Sequence, residues 1–500
     1  MHQRAGRPSN PKNNLNTAMN CALIWFRRDL RLTDNPALQA ALTRGLTPLP
    51  VYIHDVRQQP RAGAASNWWL HHSLSALRDD LRRLGSDLLI VKGDSTRLLL
   101  SVAAATSAGA VYWNRLYEPQ SIARDRKLKR GLRQAGLEAE GFGAALLSEP
   151  WDFGKADNTP YRVFTPFWKT LQKAMPLRTA LGAPRSLPGM VACEHPTVRL
   201  EALELLPAIG WDQQFHSHWQ PGEAGADRQL QAFLDAAIRD YANDRDRPAL
   251  SGTSRLSPHL HFGEITAQQV WERTQAWTAG DSSAGTVAAA EAFLRQIAWR
   301  DFAHHLLFHF PHTSDAPLDA RYQAFPWRGD YAAELTAWQK GRTGIPIVDA
   351  GMRELWATGW MHNRVRMITA SLLTKNLLIP WQQGAAWFWD TLVDADLANN
   401  CFGWQWTAGC GADAAPYFRI FNPVTQGQRF DADGSYVRRW VPELQRLPAK
   451  WIHRPWLAPP QVLSAAALAP GVDYPLPLVD LKASRERALA AWERVRHQTR

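Results

Sequence analysis

The sequence predicts an α/β domain joined by a long linker to an all-helical domain, and three observations predict it. Short apolar runs alternate with amphipathic segments from Cys21 to about Pro150. Prolines crowd together, and sustained periodicity disappears, between Glu149 and about Gly225. From Ala226 onward the patterns are long, helical and free of strand signals. The boundaries follow: residues 1–20 a disordered leader, 21–150 the α/β domain, 151–225 the linker and 226–490 the helical domain.

In chain order, CALIWF reads as a strand and DNPALQAAL as a helix start, with Asp34 and Pro36 as its opening signals. PLPVYIHD is a second strand. SNWWLHHSLSALRDDLRRLG is a long helix that places Leu74, Leu77, Leu81 and Leu84 on one face. DLLIVKGD, a further helix and AVYWN continue the alternation. Repeated β-α-β units imply a Rossmann-like parallel sheet covered on both faces. No GxGxxG follows the first strand, so a dinucleotide bound there in the Rossmann manner is not expected. The linker is expected to hold a short helix near Pro166–Met175. The helical domain is carried by DRQLQAFLDAAIRDYAND, AEAFLRQIAWRDFAHHLLFHF and IVDAGMRELWATGWMHNRVRMITASLLTKNLL.

Composition narrows the function classes. A net charge of +11 and a pI near 9.7 favour a polyanionic partner without specifying which. No apolar run reaches the roughly 18 residues that span a bilayer. Four scattered cysteines without a CxxC argue against a zinc site, an iron–sulfur cluster or a disulfide framework, and suit a reducing cytoplasm. The first twenty residues lack the apolar core of a signal peptide.

One stretch, DTLVDADLANNCFGWQWTAGCG from Asp390 to Gly411, sets Asp394, Asp396, Asn399 and Asn400 beside Trp404 and Trp406. Buried acids and amides need hydrogen-bond partners, and a polar ligand held against aromatic surface would supply them. YANDRDRPALSGTSRLSPHLHFG, from Tyr241 to Gly263, offers hydroxyls at Thr253, Ser254 and Ser257 beside a turn at Gly252. That is either a phosphate cradle or a capping box that merely starts a helix. FLRQIAWRDF places Gln296, Trp299 and Arg300 at helical spacings.

Together with ELWATGWMHNRVRMITASLLTK and DAAPYFRIFNPVTQGQRFD, these blocks resemble the flavin-binding half of the photolyase/cryptochrome family, from about Tyr241 to Trp456. A looser resemblance covers Ala22 to about Trp168, where WFRRDLRLTDNPAL is similar to the family's opening. The nearest members are expected to be the bacterial class I cyclobutane pyrimidine dimer photolyases. The resemblance implies an FAD cofactor, UV-damaged DNA as partner, no membrane and a monomer. It further implies light-driven electron transfer from reduced FAD to a flipped-out dimer, followed by return of the electron.

Site residues carry over position by position. Tyr241 and Thr253, Ser254, Arg255, Leu256 and Ser257 match the segment that holds the FAD diphosphate, and Arg245 matches a contact to the DNA backbone. Trp299 and Trp406 match the two aromatic walls of the dimer pocket, and Arg300 a residue at the flavin or its surroundings. Gln296 stands where many bacterial repair enzymes use Glu to bind the damaged bases; it keeps an acceptor, gains donors and loses the charge. Asn363 and Met367 replace the histidines of enzymes that repair the (6-4) photoproduct. They are what dimer repair enzymes carry, with the amide on flavin or lesion and the thioether on the thymines. Arg366, Asp394 and Asp396 join the flavin set. Asn400 faces the ring nitrogen N5, where plant cryptochromes carry Asp. Trp327, Trp381 and Trp404 match an electron relay, and Arg364, Arg419 and Gln426 the pocket rim.

NRLYEPQSIARDRKLK resembles the segment beside the family's antenna chromophore. Gln120 and Ser121 replace the Asn-Glu pair of folate-binding members, and the downstream Cys-Lys pair is not evident around Ser314 and Asp315. A folate is therefore disfavoured, while a deazaflavin, a second flavin or no antenna stay open. The alternative functions are a cryptochrome-type photoreceptor and (6-4) photoproduct repair.

Overall fold

The computed structural model describes residues 20–57, 61–155, 157, 159–176, 178–191, 193–413 and 418–497. The expected leader, apart from Asn20, and part of DAAPYF lie outside them. Strands β1 (Cys21–Phe26), β2 (Thr47–His54), β3 (Leu89–Lys92), β4 (Ala110–Asn114) and β5 (Glu138–Phe142) form one parallel sheet in the order β3-β2-β1-β4-β5. Helices α1 (Pro36–Thr43), α2 (Ala64–Arg83), α3 (Ser95–Ala105) and α4 (Pro119–Gln134) connect them. β1 is buried throughout because both faces of the sheet are covered. Its alternation divides two cores: Ala22, Ile24 and Phe26 meet Trp68 and Trp69 of α2, while Leu23 and Trp25 meet Leu49, Val51 and Leu99.

Two details depart from expectation. Asn35, not Asp34, caps α1, accepting from the Leu38 N–H at 3.1 Å. Asp34 sits at φ +51 and accepts instead from Arg178 Nη2 (2.7 Å), Leu181 N–H (3.0 Å) and Thr266 Oγ1 (2.7 Å), tying the sheet to linker and helices. β5, with sequence EAEGF, carries no strand signal. It is an edge strand with only Ala139 buried, so its pairing with β4 comes from tertiary placement, not composition.

The linker is packed rather than free. Its helix α5 (Phe164–Ala174) buries Phe164, Phe167, Trp168 and Leu171 against Phe302 and its neighbours. The backbone N–H groups of Leu147 and Ser148 donate to Asp301 at 2.7 and 3.1 Å.

The helical part is built on Ala284–His309, Pro346–Thr358, Asn363–Ser371, Trp381–Thr391, Leu397–Ala408, Pro423–Phe430 and Leu481–His497. Phe262, Trp360 and Val393 belong to the same core as α2, so the helices pack directly on the sheet layer. Gly263 permits this approach: at φ +65, an added Cβ would lie 2.2 Å from the Arg28 carbonyl oxygen. Leu30 N–H then donates to the Phe262 carbonyl at 3.1 Å. Among the described residues no helix is long and apolar enough to cross a membrane, and no cluster of His, Cys, Asp and Glu could hold a metal ion.

Candidate functional site

Asp394 and Asp396 flank a buried turn before the helix Leu397–Ala408. Asp396 caps that helix, accepting from the Asn399 N–H at 2.9 Å and the Asn399 side-chain amide at 2.7 Å. Its other oxygen faces His304 Nε2 at 3.5 Å and His261 Nδ1 at 3.7 Å. Burial opposes its charge, but the facing histidines more than offset this and hold the carboxyl well below the usual carboxylate range. Arg366 Nη2 donates to Asp394 at 2.8 Å, and Arg366 Nε donates to the Met361 carbonyl at 2.7 Å. Asn400 is half-buried and donates to the Ala385 carbonyl at 3.0 Å.

Ser257 begins a short helix, Ser257–Phe262, whose cap position, Leu256, makes no side-chain cap. The capping-box reading is thus not realised. Instead Trp360 Nε1 donates to Ser257 Oγ at 3.3 Å. Arg255 takes φ +52, and its guanidinium lies over Trp219 and Trp360 at 4.4 and 4.9 Å. Thr253 and Ser254 are half-buried, and the Ser254 carbonyl accepts from Gln229 at 2.9 Å. Arg300 is committed to the carbonyls of Ala145 (2.6 Å) and Leu260 (3.2 Å), so it fixes the walls of the site. Two buried polar atoms in this region, His362 Nε2 and Arg255 Nε, have no hydrogen-bond partner among the described residues. That donor set fits a polar cofactor with many acceptors, such as FAD.

A second group of residues adjoins the first. Arg245 covers the Tyr241 ring at 5.5 Å and donates to Gln296 at 3.1 Å. Arg364 Nη2 donates to Asp246 at 2.7 Å and its guanidinium covers Phe430 at 4.5 Å, which brings the helix carrying Gln426 alongside. Asn363 is exposed, with its amide 3.9 Å from the Met367 sulfur. Trp299 stacks on Phe164, centroids 3.7 Å apart. Trp406 Nε1 donates to the Asp413 carbonyl at 3.0 Å, and Trp406 borders a small cavity with Arg419, Phe418 and Trp492.

Trp381 and Trp404 lie in one buried core, and half-buried Trp327 packs against it. The indole of Trp404 presses on Gly384, where an added Cβ would lie 2.0 Å away. Sequence reasoning missed Trp338, whose ring meets Trp404 edge-on at 6.1 Å, and Asp246, His261, His304 and Glu354. Glu354 is buried, accepting from Tyr436 Oη at 2.6 Å and His362 N–H at 3.3 Å; burial raises its carboxyl to about 7. No local motif marks these positions.

A cavity of about 320 Å³ opens at the carboxyl ends of β1 and β2 and reaches His261 of the site. Trp25, Arg27, Glu118, Ser121 and Arg124 line one side, and His261, Trp389 and Leu397 the other.

Comparison with known proteins gives the family. Residues 22–185 match the DNA photolyase family model, and residues 293–494 match the FAD binding domain of DNA photolyase. The chain is 46% identical to a deoxyribodipyrimidine photo-lyase of Agrobacterium fabrum over 95% of this chain and 98% of that protein. It is 39% identical to cryptochrome-2 of Arabidopsis thaliana over 95% of this chain and 79% of that one. A bacterial class III photolyase from Agrobacterium tumefaciens superimposes with a TM-score of 0.92 at 46% identity, covering 98% of this chain and 100% of its own. The expected nearness to class I is therefore not what this neighbour carries. With two family models covering most of the chain and full-length relatives at this identity, the chain belongs to the photolyase/cryptochrome family and uses FAD as its cofactor.

Proposed function

We propose that this protein repairs cyclobutane pyrimidine dimers in DNA under light. The observation that carries the reading is that Arg245 holds Gln296 and its chain neighbour Asp246 pairs with Arg364, while Arg366, two residues further along the same helix, reaches Asp394. Lesion-facing and flavin-facing side chains thus share one helix. Bound reduced FAD supplies a photoexcited electron that opens the dimer and is then returned.

The chain's own residues bind, orient and exclude water. Tyr241 and the segment from Thr253 to Ser257 receive the diphosphate, with Arg255 held rigid between two indoles. Arg366 fixes Asp394 in place and the facing histidines hold Asp396 charged, so the two side chains are set as acceptors for ribityl and ring groups. Asn400, its amide nitrogen anchored on Ala385, presents its oxygen toward the ring edge. Trp299 and Trp406 wall the flipped dimer, a lesion that is less costly to extrude than an intact base pair. Gln296, Asn363 and Met367 touch it, and Arg245, Arg364, Arg419 and Gln426 hold the surrounding backbone and rim. Trp404, Trp381 and Trp327 relay electrons from the surface. The cavity at the carboxyl ends of β1 and β2 suits an antenna chromophore; Ser121 lines it, and Ser314 and Asp315 do not.

The test is direct. The protein with reduced FAD is mixed with a single-stranded oligonucleotide holding one thymine dimer, exposed to blue light or kept dark, and the product is followed by chromatography. Light-dependent restoration is expected. Absence of repair with FAD bound and reduced would favour the photoreceptor reading, which the 39% identity to a plant cryptochrome supports.

A further inference from the structure

Helix α4 carries six cations, Arg124, Arg126, Lys127, Lys129, Arg130 and Arg133, against one acid, Asp125. That acid points inward, where Arg27 and Arg124 occupy it at 2.9 and 3.1 Å. Arg126, Lys127, Lys129 and Arg130 have no acidic partner among the described residues, and all but half-buried Lys129 are exposed. At 100° per residue, Arg126, Lys129, Arg130 and Arg133 fall within about 100° of arc, along about 10 Å of helix. Ser121, Leu128 and Leu132, the buried residues, lie on the far side. Three of the four stripe residues are therefore exposed, and the stripe has no acidic partner among the described residues.

We infer that this stripe is a second DNA-contact surface, one that holds undamaged duplex by its phosphates. Three observations choose that occupant. No large apolar residue is exposed on α4, so the face has neither the wedge of a membrane-binding helix nor the apolar centre of a protein interface. Closely spaced guanidinium and ammonium groups, of which only Arg133 has a hydrogen-bond partner among the described residues, the Ala139 carbonyl, suit phosphates better than base edges. The protein is strongly basic overall, and its family acts on DNA. α4 packs on β5 and α3, whereas the candidate lesion site lies on helices beyond Tyr241, so the two surfaces are separate. The inference rests on DNA being the partner, not on the dimer reading.

The test is dark binding of the FAD-loaded protein to a long undamaged duplex, measured by fluorescence anisotropy as salt is raised. R126A/K129A/R130A is compared with K340A/K482A/R485A, which removes the same charge from exposed positions elsewhere. The α4 variant is expected to lessen the slope of log affinity against log salt by about 3, roughly one for each phosphate no longer neutralised. Its melting temperature, its flavin content and its binding of a short single-stranded dimer oligonucleotide should stay as in the parent. An unchanged slope, or an equal change in the control variant, overturns the assignment. So does a loss confined to anionic vesicles or acidic peptide. Because the duplex is undamaged and the assay dark, the outcome is readable even if light-driven repair fails.

Discussion

Arg245 Nη2 donates to the side-chain oxygen of Gln296 at 3.1 Å. A guanidinium can only donate, so this contact fixes which way the amide lies: its oxygen faces Arg245 and its NH₂ turns toward the Ala292 carbonyl, 3.4 Å away, and the open site. Arg245 is thus more than a cation waiting for phosphate. R245A and Q296A should be non-additive for binding a dimer-containing oligonucleotide, with a coupling of about 1 kcal/mol. A double-mutant cycle measures it. Strict additivity would mean that Arg245 acts on the DNA alone.

Gly384 and Trp404 make a tighter pair. Any side chain at 384 must displace the indole, because even a Cβ would lie 2.0 Å from its ring. Overpacking of this kind costs about 1–3 kcal/mol. G384A should therefore lower the melting temperature, and it should also slow photoreduction of FAD by an external donor, as W404F should. If G384A and W404F both photoreduce at the parent rate, Trp404 carries no electrons.

Glu354 gives a pH signature. Its carboxyl is raised from 4.5 to about 7 by burial, so the folded state favours the protonated form. Its contribution is fully present below about pH 4.5 and is lost as pH rises toward 7, amounting to about 3 kcal/mol of cost above that range. E354Q keeps an oxygen acceptor for Tyr436 and the His362 N–H without the charge. It should raise the melting temperature at pH 8 and leave it nearly unchanged near pH 4. A gain of the same size at both pH values would show that the charge is not the cause.

What was legible follows from where each interaction is encoded. β1, β2 and β4 are continuous apolar runs, and Ala284–His309 is a long apolar helix, so local pattern suffices. Asp394, Asp396 and Asn400 stand within one short stretch and announce themselves together. Asp246 lies 118 residues from Arg364, and Trp338 is remote from Trp404, so only the packed chain unites them. β5 escapes for a related reason: an edge strand rich in Glu and Gly is held by its neighbour β4, not by its own propensity. Asp34 resembles a helix cap because Asp is a good one, but Arg178 and Thr266 claim its carboxylate first.

Trp299, the proposed wall of the lesion pocket, has a backing. Phe164 of the linker lies on one face of Trp299, centroids 3.7 Å apart and planes 9° from parallel, while Phe402 meets the same indole at 5.7 Å. The indole is thereby set at a fixed angle with limited exposed surface. Stacking of a base on an aromatic ring is worth about 1–3 kcal/mol, so W299A should weaken binding of a dimer-containing oligonucleotide roughly 5- to 150-fold without loss of FAD. W406A should behave alike. F164A should cost less, because the wall remains and only its rigidity is lost. The decisive readout is the ratio of dimer-containing to undamaged affinity, by fluorescence anisotropy. A pocket wall lowers that ratio, whereas a general DNA contact weakens both oligonucleotides equally and would remove Trp299 from the pocket.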